Sequence, residues 1–146
     1  MEEMIKEKLA LALISFYLGI QALFSFLIAP ILFSTVERSQ ASLVVEKFFP
    51  FYFAIGILAV GVSLFLLWWK NKASKFLLSM LGLTFLLLVV QEVFIYPYAL
   101  ELKTQNMGMF KKLHTLSMVF NFIEMLLLLV SAVYLILKKE KHIYSE

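Results

Sequence analysis

Four polar residues in the C-terminal part of the chain recur at helical spacing. His114, Ser117, Asn121 and Glu124 stand at i, i+3, i+7 and i+10, which places them on one face of an α-helix. A carboxyl group beside an amide and a hydroxyl can hold a proton, a cation or a small hydrogen-bonding solute. His114 and Met118, one turn apart, offer an imidazole and a thioether, the donor pair that suits Cu(I). One axial histidine also suffices for a five-coordinate haem, so copper and haem are the two cofactors in view. Other chemistries are excluded by residue type. The chain has no Cys, so disulfides, thiolate-held zinc, iron–sulfur clusters and thiol catalysis fall away. It has no Asp, hence no Ser/His/Asp set, and it contains no Gly-rich phosphate loop, GxSxG or HExxH. No catalytic motif is present.

These polar residues must be positioned by an unusually apolar chain. Hydrophobic residues make up 62% of the 146 residues and charged residues 16%, against about 45–50% and 25% in soluble domains. Mean hydropathy is +0.92. Four runs are each long enough for the hydrocarbon core, which takes about 20 residues of helix. They are Leu9–Phe33, Phe48–Trp69, Phe76–Leu100 and Leu113–Leu137; the third holds one charged residue, Glu92, and the fourth one, Glu124. Backbone groups in lipid must be satisfied within the segment, and the runs lack the two-residue alternation of a transmembrane barrel. The expected fold is all-α: an integral membrane four-helix bundle forming one domain over residues 1–146. The first run is too long for a signal-peptide core and no A-x-A site follows it, so it is read as a retained helix.

Depth brings the polar residues together. At 1.5 Å per residue, Glu124 and Gln21 both lie roughly 17–18 Å below the outer end of their runs. Ser25, Glu92 and Asn121 share a second level at about 12 Å. Tyr96, Tyr98 and His114 stand nearer the mouth. The expectation is a polar cluster of Gln21, Ser25, Glu92, Tyr96, Ser117, Asn121 and Glu124 in the outer half of the bundle. The runs contain no Lys or Arg to pair with the carboxyl groups, so each glutamate must be protonated, hydrated or hydrogen-bonded. Amides and hydroxyls between membrane helices also serve as plain interhelical glue, and the 15 Phe, 6 Tyr and 2 Trp read first as lipid contacts and bundle core.

The flanks set orientation. Lys6, Lys8, Lys70, Lys72, Lys75, Lys138, Lys139 and Lys141 fall on one side, and Arg38, Lys47, Lys103, Lys111 and Lys112 on the other. The positive-inside rule then puts both termini in the cytoplasm, with Trp68 and Trp69 as an interfacial belt, in what reads as a bacterial cytoplasmic membrane. The net charge of +3 comes from these anchors and implies a lipid bilayer as partner, not nucleic acid. Ser34-x-x-Glu37 has capping-box spacing, so the outer loop Ser34–Lys47 should be partly helical and extend the second helix, with Pro50 inside it or at a kink. Helices 1 and 3 each carry a Gln upstream of a Pro, Gln21 with Pro30 and Gln91 with Pro97, a pattern that two pseudo-symmetric hairpins would produce.

APILFSTVERSQAS after helix 1, Tyr96-Pro97 with Leu102, and FKKLHTLSMVFN at the start of helix 4 together resemble a known family. It is the small four-helix membrane domain typified by transmembrane protein 205, a domain of unassigned biochemistry grouped with the copper-resistance protein D superfamily. The resemblance covers nearly the whole chain and is most specific at Leu113-His114-x-x-Ser117-x-x-x-Asn121. It implies that Pro30, Phe33, Gln40, Ala41, Pro97, His114, Ser117 and Asn121 are signature positions. Three functional readings follow. One is a non-enzymatic membrane protein that handles a metal ion, a proton or a small solute at the outer cluster. The second is a haem- or quinone-associated redox protein. The third is an accessory subunit held against another membrane protein or a second copy.

Overall fold

A computed structural model describes residues 2–69 and 73–143, with side chains through Lys138. Among the described residues there are four helices, each long and apolar enough to cross a membrane: α1 Glu2–Thr35, α2 Arg38–Trp68, α3 Lys75–Gln105 and α4 Met107–Ile143. The all-α four-helix bundle expected from the apolar runs is the observed architecture. α1 packs against α2 and α4, and α3 packs against the same two, so the helices form a ring in chain order. The end that holds the termini and the α2–α3 connection is called proximal here, and the opposite end distal. Lys70 and Lys72, used above for orientation, lie outside the described residues, as do the side chains of Lys139 and Lys141. Trp68 and Trp69 at the proximal end of α2 are exposed.

Each helix runs beyond its apolar stretch because the flanking polar residues are good helix formers. α2 begins at Arg38, ten residues before its apolar run, as the expected outward extension requires. The capping box does not form. Ser34 stays in the last turn of α1 and donates to the Ile31 carbonyl (2.9 Å), and no side chain caps the start of α2. α3 and α4 are separated by Asn106 alone, whose side-chain oxygen accepts the Met109 N–H at 3.1 Å and so caps α4.

The proximal half is a dry core. Ile14, Val60, Leu81, Leu88 and Leu128 are all fully buried. Its buried hydroxyls, Ser63, Thr84 and Ser131, bond to carbonyls four residues back on their own helices. Lys138 and Glu7 tie α4 to α1 at 2.6 Å.

The prolines shape the distal half. α1 widens into a π-turn at Phe24–Ile28 and α3 into another at Gln91–Ile95. In each, an N–H reaches back five residues, Ala29 to Phe24 and Tyr96 to Gln91. In each, the proline follows two residues later, as Pro30 and Pro97. A proline cannot donate to the carbonyl four residues back, and its ring crowds that carbonyl; a wide turn ahead of it gives room. π-turn and proline therefore correspond between the two hairpins. The glutamines do not. Gln21 precedes the first π-turn by a turn of helix, whereas Gln91 opens the second, so the Gln–Pro pairing is not what the two halves share.

Pro50 is handled differently, inside an unbroken α2. The carbonyl it leaves without a donor is that of Glu46, and the Tyr96 hydroxyl of α3 donates to it at 2.6 Å. Tyr96→Phe is expected to cost about 1–3 kcal/mol by orphaning that acceptor. The loss should shrink on a Pro50→Ala background, where the backbone supplies its own donor. Chemical denaturation of the four proteins in a double-mutant cycle measures the coupling; equal losses on both backgrounds would rule the explanation out.

Candidate functional site

A hydrogen-bond network crosses the middle of the bundle and draws on all four helices. Glu124 of α4 is its centre and is fully buried. One carboxyl oxygen accepts Nε2 of Gln91 from α3 at 2.6 Å, and the other accepts Nε2 of Gln21 from α1 at 3.1 Å. Ser117 donates to the Gln91 side-chain oxygen at 2.5 Å. Asn121 accepts from the Tyr52 hydroxyl of α2 at 2.5 Å and from Gln21 at 3.3 Å, and donates to Ser25 at 3.1 Å. Among the described residues no Lys or Arg forms an ion pair with Glu124; the three pairs present join Lys6 to Glu2, Lys103 to Glu46 and Lys138 to Glu7.

Local structure explains who enters this network. On α4, residues 117, 121 and 124 follow one face of a regular helix, and Glu124 is the first residue of α4 to be buried. On α1, Gln21 lies in the last turn of the regular segment and Ser25 in the π-turn. On α3, the π-turn opens at Gln91 and turns that side chain inward. Aromatic rings cover the network on the side of α1 and α2: Phe24 stacks on Phe48 at 4.9 Å and meets Tyr52 at 5.5 Å. Beneath, the buried Tyr17 ring lies over Gly56, where an added Cβ would stand 2.3 Å from the tyrosine Cζ. The Tyr17 hydroxyl and the Gln21 side-chain oxygen are buried without a hydrogen-bond partner.

Of the residues singled out from sequence, Gln21, Ser25, Ser117, Asn121 and Glu124 come together in this network. Glu92 and Tyr96 stand apart. Glu92 is half-buried on the face of α3 that also carries Phe85 and Tyr96 and meets α2, and one of its carboxyl oxygens is buried without a partner. Tyr96 serves the Glu46 carbonyl, and Lys103 binds Glu46 and Ser42 nearby. His114 and Met118 are exposed on α4; His114 stacks on Phe110 at 6.0 Å, and Tyr98 is likewise exposed. Among the described residues no group of three or more His, Asp or Glu side chains lies close enough to hold a metal ion. Two members escaped the sequence reading. Gln91 enters the sequence reading only through the Gln–Pro pattern, and Tyr52 only among the aromatic residues read as lipid contacts and bundle core. The sequence holds only a hint for Gln91, a proline six residues ahead that can shift the helical register.

Residues 12–108 match the family model "Domain of unknown function (DUF4149)". The chain belongs to this family. It is also 48% identical over 134 residues to an uncharacterized protein of Aquifex aeolicus (strain VF5), an alignment that covers 92% of this chain and 99% of that one. No solved structure matches the chain. The family match includes Gln21, Ser25, Tyr52 and Gln91 but ends before α4 supplies Ser117, Asn121 and Glu124.

Proposed function

We propose that this DUF4149 chain is a non-enzymatic protein of a bacterial cytoplasmic membrane. Both termini lie in the cytoplasm, and the distal half of the bundle belongs to the outer leaflet. Its working part is the network around Glu124, which takes up a proton or a small hydrogen-bonding solute. One observation carries the reading. Glu124 is wholly buried and bridges amides from two helices on opposite sides of the ring, with no cation paired to it among the described residues. A carboxyl group inside the membrane is expensive, and its usual use is in a proton or solute path. Interhelical glue could be had from the amides and hydroxyls alone. The excess of Lys on the proximal side supports the orientation, and the bacterial relative supports the location. The likeness to the transmembrane protein 205 domain belongs to the same proposal, supported by residues 113–121.

Glu124→Gln keeps the size of the side chain and removes the exchangeable proton. The test is infrared difference spectroscopy of proteoliposomes between acid and alkaline buffers. The wild type should show a carboxyl C=O band that Glu124→Gln lacks and Glu46→Gln retains. Identical spectra for wild type and Glu124→Gln would reduce the network to structural glue.

A further inference from the structure

The network has one open side. Between α2 and α3 the distal half is stitched shut by Tyr96 on the Glu46 carbonyl, by Lys103 with Glu46 and Ser42, and by Phe49 against Tyr96. Phe85 is wedged over Gly61 further down the same seam. Between α1 and α4 the last tie is Asn121 to Ser25, two partly exposed residues. Beyond it the helices part. The segment Ala29–Thr35 buries no residue, and its own hydroxyls, Ser34 and Thr35, bond back into α1. It comes close to α2 and not to α4. α4 in turn buries nothing before Glu124. The π-turn at Phe24–Ile28 sits where the divergence begins, whereas α3, which has the matching π-turn, stays packed on α4 through Tyr96–Gln105 and is tied to α2 by side chains.

The chemistry of this gap is specific. Over 24–33 on α1 and 113–123 on α4 the only titratable residue is His114, at the rim. The other exposed residues are mostly apolar, with Ile28 and Ile31 on one helix and Met118 and Phe122 on the other, and the Thr115 hydroxyl is turned back to the Lys111 carbonyl. The floor is polar, made by Ser25 and Asn121, with Gln21 and Glu124 below. Gln21, fully buried, keeps an acceptor oxygen with no donor. The proximal side is plugged by Ile14, Leu88 and Leu128, so a ligand that enters here leaves by the same way.

We infer that the gap between Ala29–Thr35 and the distal half of α4 is a lateral portal through which an uncharged, long-chain molecule bearing a hydroxyl group reaches the Glu124 network from the hydrocarbon layer. The inference rests on the functional reading above and names its ligand class. An apolar body matches walls that face lipid, and a hydroxyl supplies the donor that Gln21 lacks while accepting from the Ser25 hydroxyl, which Asn121 holds in place from Nδ2. A charged solute from water would meet no counter-ion on these walls.

The probe is a hexadecanol carrying a diazirine, photolysed with the full-length protein in phosphatidylcholine vesicles, with the matching diazirine alkane as control. Peptide mapping should find the alcohol concentrated on residues 25–33 and 114–122, in excess over the lipid-facing part of α4 from Leu126 to Val133. The alkane should show no such excess. Ser25→Ala should weaken the excess about fivefold, the weight of one hydrogen bond, and Asn121→Leu should abolish it; unlabelled hexadecanol should compete. Labelling spread evenly over the four helices, or equal for alcohol and alkane, would overturn the portal. So would efficient disulfide dimers of Met118→Cys, unambiguous in a chain without other cysteines, because a second copy would then cover the gap. Selective labelling without a Glu124 carboxyl band keeps the portal and removes the proton reading; the band without selective labelling does the reverse.

Discussion

Glu124→Leu is expected to lower the stability of the purified bundle by about 2–4 kcal/mol, the penalty for two buried amide donors left without an acceptor. The loss does not come from volume, since leucine is as bulky as glutamate and only forks one carbon earlier. It comes from Nε2 of Gln21 and Nε2 of Gln91, which approach the carboxyl group from opposite sides. The triple change Gln21→Leu, Gln91→Leu, Glu124→Leu should therefore recover most of the loss, since polar partners removed together leave nothing unsatisfied. Reversible unfolding in mixed micelles measures both. A triple variant as unstable as, or less stable than, the single one would show that the network is held by shape rather than by hydrogen bonds.

Gly56→Ala is expected to be nearly as damaging, at about 1–3 kcal/mol for overpacking a closed core. The added methyl would stand 2.3 Å from Cζ and 2.4 Å from the hydroxyl oxygen of Tyr17. Tyr17 is itself fully buried and pressed against Tyr52 at 5.8 Å, so the ring cannot swing away without moving the residue that donates to Asn121. Tyr17→Phe on the Gly56→Ala background should recover little, because the ring carbon remains in the way. Tyr17→Leu should recover much of it. Thermal unfolding of the four proteins decides; rescue by phenylalanine would place the clash on the hydroxyl and contradict the geometry.

The parts of this architecture that follow regular helix geometry were legible in the residues. Apolar runs located the four helices, and a constant rise per residue put Gln21 level with Glu124 and Ser25 level with Asn121, both of which are bonded pairs. The reading failed where the helix is not regular. Charge and depth alone selected Glu92, level with Ser25 and Asn121, whereas the π-turn that opens at Gln91 turns that neighbouring side chain inward instead. The proline that occasions the turn was visible, but its effect on register depends on how the bundle accommodates a missing donor. Pro50 met the same deficit by borrowing a hydroxyl from α3, with no change of register. A spacing argument cannot choose between those two outcomes, because the choice lies in what the neighbouring helix offers. The Ser34-x-x-Glu37 spacing failed for a related reason: α1 kept Ser34 in its last turn, so no free serine remained to cap α2.

The sequence separation inside the network has a consequence for biogenesis. Gln21 is made 103 residues before the carboxyl group it binds, and Gln91 33 residues before it. A nascent chain with three helices in the membrane therefore exposes two unsatisfied amides to hydrocarbon until α4 arrives. The last helix acts as the closing member of the assembly. A ribosome-stalled or truncated chain that ends before residue 113 should be the form that quality-control proteases recognise, with its paired glutamines as the degradation signal.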